Sequence, residues 1–137
     1  MRYLCLDIGD VWTGIAIGTD ESLLAFPLTT AQTVQLKTVL PTLIREEQIH
    51  TLVVGQPKTM KGSTGIQEEK TRRCVETLRP LITNVQWVWW DERLSTKQAK
   101  TYVTLSKKDK HAVHARAAVM ILESYLSYIK QHNASSS

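Results

Sequence analysis

Tyr3-Leu4-Cys5-Leu6-Asp7-Ile8-Gly9-Asp10 is the stretch that decides how the rest of the chain is read. It is a short apolar run, suited to a strand buried on both faces, and it stops at Gly9 and Asp10 with a carboxylate already near its end. Thr13–Thr19 and Leu23–Thr30 follow as two more strands, parted by the turn-forming Asp20-Glu21-Ser22. The chain therefore opens with three strands in succession.

Beyond them helical and extended patterns alternate. Thr33–Glu47 places Val34, Leu36, Val39, Leu40, Leu43 and Ile44 near helical spacing, and Pro41 is expected to kink this helix or to mark its start. Leu52–Gly55 predicts a buried strand that runs into a Gly/Pro loop. Ser63–Leu81 predicts a polar helix capped at Ser63 or Thr64, with Val75, Leu78 and Leu81 turned inward. Val85–Trp90 is strongly β-forming and ends in Asp91-Glu92, and alternation sends Trp87 and Trp89 to one face and Trp90 to the other. Thr96–Leu105 predicts a short helix. Ala112–Gln131 predicts a longer amphipathic one, with Val113, Ala117, Met120, Ile121, Tyr125 and Tyr128 recurring at steps of a helical turn. The order βββαβαβαα implies an α/β fold, a five-stranded mixed sheet flanked by helices on both faces, because parallel strands need helical crossovers.

The chain of 137 residues is expected to form one domain over residues 1–132, with 133–137 as a disordered tail. Its 17 Lys+Arg against 13 Asp+Glu give a net charge of +4, which favours polyanionic partners. Cys5 and Cys74 are isolated, which excludes a disulfide framework or a thiolate metal pair and suggests a reducing compartment. No run approaches the roughly 20 apolar residues that span a bilayer, and the amino terminus lacks a secretion signal, so a cytoplasmic protein without a membrane partner is expected.

Asp7, Asp91-Glu92 and His114 are the candidate chemistry. In an open sheet the carboxyl ends of parallel strands converge on one edge, so Asp7 and either Asp91 or Glu92 are expected to face a common cleft. Clustered carboxylates repel one another unless a hard cation such as Mg²⁺ or Mn²⁺ lies between them. Two such ions, about 3.5–4 Å apart, can activate a water and stabilise the leaving oxygen of a phosphodiester. The residues alone leave a plainer alternative open, in which Asp7 caps a turn and Asp91-Glu92 cap a helix beginning near Ser95-Thr96.

Asp7-Ile8-Gly9 with Gly14-Ile15-Ala16, Val53-Val54-Gly55-Gln56-Pro57 with Met60-Lys61-Gly62-Ser63-Thr64-Gly65, Trp90-Asp91-Glu92-Arg93-Leu94-Ser95-Thr96, and Ala117-Ala118-Val119 with Ile121-Leu122 and Ser124-Tyr125-Leu126 stand in a telling order and spacing. Together they resemble the YqgF/RuvX family over nearly the whole chain. The resemblance implies an RNase H-like fold and a metal-dependent endonuclease acting on structured nucleic acid. Its first expected substrate is the 5′ end of pre-16S ribosomal RNA. The family's other label, Holliday junction resolvase, implies cleavage of branched DNA by a symmetric dimer; monomer and homodimer both stay open. On this pattern Asp7 is a first metal ligand, Glu92 is preferred over Asp91 as the second, and His114 stands at the last catalytic position. Lys58 and Lys61 in the Gly/Pro loop, Arg93, and the basic approach of Lys107, Lys108, Lys110 and Arg116 are the expected phosphate contacts.

Departures from the family pattern sharpen the question. After its first Asp-x-Gly the family places Thr and then basic residues, whereas this chain has Asp10-Val11-Trp12-Thr13; Trp12 either stacks on a base or covers the sheet edge. Where the family has Val-Asp-x-x-Ala-Ala, this chain has Val113-His114-Ala115-Arg116-Ala117-Ala118. Neutral imidazole can ligate a divalent metal, but it suits softer ions than Mg²⁺ and adds no negative charge. A catalytically impaired nucleic-acid-binding protein is therefore the rival expectation. Spacing lines His114 up with Ala118, Ile121 and Tyr125 on the flank of the buried stripe, where packing is the alternative to ligation. Asp109 reads as a helix cap.

Overall fold

The structure is a computed structural model that describes residues 1–57, 65–91 and 110–135, with side chains of the last helix described over residues 113–132. Three strands come first: β1 (Arg2–Ile8), β2 (Trp12–Thr19) and β3 (Ala25–Gln32). A 3₁₀ turn (Thr33–Gln35) leads into α1 (Leu36–Glu46), then β4 (Thr51–Gln56), α2 (Ile66–Leu78), β5 (Gln86–Asp91) and α3 (Lys110–Ser135). The strands form a five-stranded sheet of order β3-β2-β1-β4-β5. β1 pairs antiparallel with β2 and parallel with β4, which makes the sheet mixed as its element order requires.

Alternation along β1 builds two cores. Leu4, Leu6 and Ile8 pack with Leu36, Leu40 and Ile44 of α1 and with Val75 and Leu78 of α2. Tyr3 and Cys5 pack on the other face with Ala118, Ile121, Leu122 and Leu126 of α3. A strand clothed on both sides needs apolar residues at every position, and Asp7 is the one acid in that run. Each fully buried leucine here contributes about 1.5–3 kcal/mol.

Several local expectations are corrected. The first helix starts at Leu36, and Pro41 lies inside it. Val34, placed in that helix by spacing, sits in the 3₁₀ turn and is 77% exposed. α2 begins after Gly65, which makes no side-chain cap, while Ser63 and Thr64 lie outside the described residues. Leu81 is 56% exposed, because the chain leaves α2 for a 3₁₀ turn at Arg79-Pro80-Leu81 before reaching it. The buried line of α3 runs through Ala115, Ala118, Leu122 and Leu126, so Val113 and Ala117 fall to its flanks and Tyr128 is exposed. α3 is helical as far as Ser135, inside the stretch expected as a tail, and the expected helix Thr96–Leu105 lies outside the described residues. Trp87 and Trp89 do pack in the first core and Trp90 in the second. Among the described residues no helix is long and apolar enough to cross a membrane. Neither Cys5 nor Cys74 is in a disulfide, and burial raises the Cys74 thiol pKa.

Candidate functional site

The turn after β1 is a tight one. Ile8 pairs with Thr13, and the Gly9 N–H donates to the Trp12 carbonyl at 3.0 Å, so Asp10 and Val11 form its tip. Thr33 ties this turn to the end of β3: its hydroxyl donates to the Gly9 carbonyl at 2.7 Å and its N–H to the Val11 carbonyl at 2.8 Å. With its own proton committed, Thr33 Oγ1 accepts from the fully buried Thr13 hydroxyl at 2.9 Å. From the α2 side, Gln67 Nε2 donates to the Ile8 carbonyl at 3.3 Å and Lys70 pairs with Asp10 at 3.3 Å. The Lys70 pair is exposed at both ends and adds little stability. The hydroxyl chain is different, because a buried donor or acceptor left alone costs about 1–3 kcal/mol. Thr33→Val is therefore expected to lower stability by roughly 2 kcal/mol, read as a lower urea midpoint at unchanged slope.

Asp7 faces α3. Tyr3 and Cys5, two and four residues before it, pack against that helix, and strand alternation places Asp7 on the same side. It is half-buried and pairs across the ladder with Gly14 of β2. Gly14 is a point of close approach between α3 and the sheet. A Cβ there would fall on the carbonyl of His114 and lie 2.7 Å from the Ala115 N. His114 Cε1 in turn lies 3.8 Å from the position a Cβ would take at Gly9. Glycines at 9 and 14 thus let the first turn of α3 lie against the sheet beside Asp7. His114 is half-buried there, next to the buried Ala115.

Farther along, α3 is pinned by polar contacts as well as by its apolar face. Glu123 Oε2 accepts from the Ala25 N–H at 3.0 Å, and Trp90 Nε1 donates to Ser124 Oγ at 3.2 Å. Tyr125 meets Tyr3 and Trp90 edge-on at 6.0 and 5.3 Å between ring centres. Burial, as the largest cause, raises the pKa of both tyrosines.

The expected site residues divide three ways. Asp7 and His114 come to one rim on one face. Asp91 ends β5 in register with Gln56, but Trp87 and Trp89 share its parity and pack on the α1/α2 side, so it does not share Asp7's face. Of the two acids expected to share a cleft with Asp7, Asp91 therefore lies on the other face of the sheet, and the preferred one, Glu92, lies outside the described residues. Glu92, Arg93, Lys58, Lys61, Lys107 and Lys108 lie outside the described residues. Lys110 is the first residue of α3, and Arg116 is half-buried on the same helix just beyond His114. Among the described residues there is no group of three or more His, Cys, Asp or Glu side chains able to hold a metal ion. Gly14 carries a role the sequence reading missed: its pairing with Asp7 made it visible only as part of a motif.

Residues 1–128 match the family described as RuvX: Holliday junction resolvase. The chain is 35% identical over 127 residues to a Rubrobacter xylanophilus protein, with 91% of each chain covered. It is 37% identical over 134 residues to one from Caldanaerobacter subterraneus, covering 92% of this chain and 96% of the relative. A Roseiflexus relative is 38% identical over 132 residues, covering 91% and 93%. All three carry the name "Putative pre-16S rRNA nuclease". Among solved structures, RuvC of T. thermophilus in complex with a Holliday junction substrate superposes with a TM-score of 0.66 at 10% identity, over 96% of both chains. A second Thermus thermophilus RuvC structure gives 0.65 at 9% identity. At these identities the likeness establishes the RNase H-like fold and nothing finer.

Proposed function

The chain belongs to the family described as RuvX: Holliday junction resolvase, and from that membership we propose that it is an endonuclease acting on structured nucleic acid. The observation that carries this reading is the place of His114, its backbone against Gly14, the residue paired to Asp7. The acid of the first strand and the imidazole of the last helix share one rim, with His114 laid over the residue paired to Asp7. An acid at that point in an otherwise apolar strand is costly to a fold and useful to a reaction.

The residues suit a divalent ion, Mg²⁺ or Mn²⁺. Asp7 offers a carboxylate, His114 an imidazole, and Glu92, in the Trp90-Asp91-Glu92-Arg93 stretch that resembles the family's motif, is proposed as a further ligand. A donor set containing imidazole favours Mn²⁺ over the harder Mg²⁺. Such an ion, held by these residues, would supply a more acidic water near neutral pH and positive charge for the phosphodiester. The chain's own part is orientation. Asp7 is fixed by the β1–β2 ladder and supplies negative charge, while the helix backbone against Gly14 fixes where His114 begins. The basic residues Lys58, Lys61, Arg93, Lys107, Lys108, Lys110 and Arg116 are proposed as phosphate contacts, consistent with a net charge of +4.

The relatives' name favours the 5′ end of pre-16S rRNA as substrate, and the family's description favours a four-way DNA junction. A second reading, binding without cleavage, has one observation in its favour: His114 stands where the family pattern has an acid. One assay separates them, cleavage of a pre-16S rRNA fragment beside a four-way junction, in Mg²⁺ and in Mn²⁺, by wild type and His114→Asp. Wild type is expected to cut the RNA faster in Mn²⁺, and His114→Asp to raise the Mg²⁺ rate by roughly tenfold or more, as a charged oxygen ligand suits that ion. An inert wild type beside a cutting variant would establish the binding protein. Salt-sensitive binding with neither protein cutting either substrate would end the nuclease reading.

A further inference from the structure

We propose that the groove beside Trp12 is a subsite for one unpaired nucleobase of the nucleic acid whose backbone passes the Asp7 rim. The proposal rests on the nuclease reading of that rim and adds to it a ligand and a place. Trp12 opens β2, and its backbone carbonyl accepts from Gly9 N–H at 3.0 Å, which places the residue at the turn that follows Asp7. Trp12 is half-buried and forms one side of a groove of about 410 Å³, whose other walls include Thr29, Thr30, Gln32, Gln35 and Val39.

The lining states what fits. Among the described residues it carries no charged side chain, so a phosphate or carboxylate would lose its hydration there without gaining a counter-charge. Threonine hydroxyls and glutamine amides offer both donors and acceptors, as the edge of a heteroaromatic ring requires. The indole face offers stacking, which is tolerant of base identity because every base has a π-face. A flat, uncharged, edge-polar group is a nucleobase, and it must be unpaired, since a paired base has both its edge and its faces occupied.

The test uses short single-stranded RNAs, each with one abasic position moved stepwise along the strand. They are titrated in chelator against wild type, Trp12→Phe, Trp12→Ala and Gln35→Ala, with thermal melts run alongside. One abasic position is expected to weaken wild-type binding by roughly tenfold. Trp12→Ala should weaken the intact strand by a similar factor, the two losses should not add, and Trp12→Phe should keep most of the affinity. Gln35→Ala should show the same non-additivity in smaller measure, and with Trp12→Phe it carries the test should Trp12→Ala fail to fold. Equal weakening of intact and abasic strands, or no abasic position that matters, overturns the subsite. Cleavage is measured separately in Mn²⁺. Failure of the nuclease reading would leave the abasic dependence in place without cutting, whereas failure of the subsite would leave cutting in place without the dependence.

Discussion

Gly14→Ala is expected to unfold this protein at a denaturant concentration well below that of the wild type, losing at least about 3 kcal/mol and roughly 10 °C in melting temperature. The added methyl would fall on the His114 carbonyl and beside the Ala115 N. Those are helix backbone atoms, which no rotamer change can move aside, so either α3 lifts or β2 bends. Lifting α3 strips cover from Ala118, Leu122 and Leu126, all of them buried in the core between that helix and the sheet. Gly18→Ala is the control. Its Cβ would meet the Leu24 carbonyl oxygen at 2.9 Å and the leucine methyls of Leu122 and Leu126 at 3.3 Å. The methyls can yield, and the single close backbone contact is to Leu24 in the loop before β3 and not to a helix, so a smaller loss is expected. Urea unfolding of the two variants side by side checks the order; equal losses would show that the helix contact at Gly14 is not special.

Asp7→Asn is expected to remove cleavage while leaving the fold alone. The change keeps shape and deletes only charge, and Asp7 is half-buried beside a glycine with the strand pairing carried by its backbone. Loss of partners that merely orient a metal ligand costs about 10–100-fold, so loss of a ligand itself should cost at least about a hundredfold in rate. The melting temperature should stay within a degree or two of wild type by the same token. A variant that still cuts at the wild-type rate would remove Asp7 from the chemistry, and with it the proposed centre.

Much of the architecture was legible because the sequence alternates cleanly where the sheet is clothed on both faces. Tyr3 through Ile8 could only be a central strand, and Trp87, Val88, Trp89 and Trp90 declared their sides by period alone. The site was less legible for a related reason. Period two tells which residues share a face but not which helix covers that face, so Asp91 could be grouped with Asp7 until α3 was seen to lie on Tyr3's side. Helix ends were the other weakness. Leu81 continues a helical spacing that the chain abandons at Arg79-Pro80, and α2 starts on a glycine that offers no capping oxygen. The closeness of α3 to β2 is a tertiary fact: nothing in Gly14-Ile15-Ala16 itself says that a helix from the far end of the chain will rest upon it.

That the last helix roofs the first two strands carries a consequence for the order of synthesis. As the polypeptide emerges from the ribosome, Tyr3, Cys5, Ala16 and Val53 remain without their cover until α3 is free of the exit tunnel. The backbone of His114 reaches Gly14, the residue paired to Asp7, only at that moment.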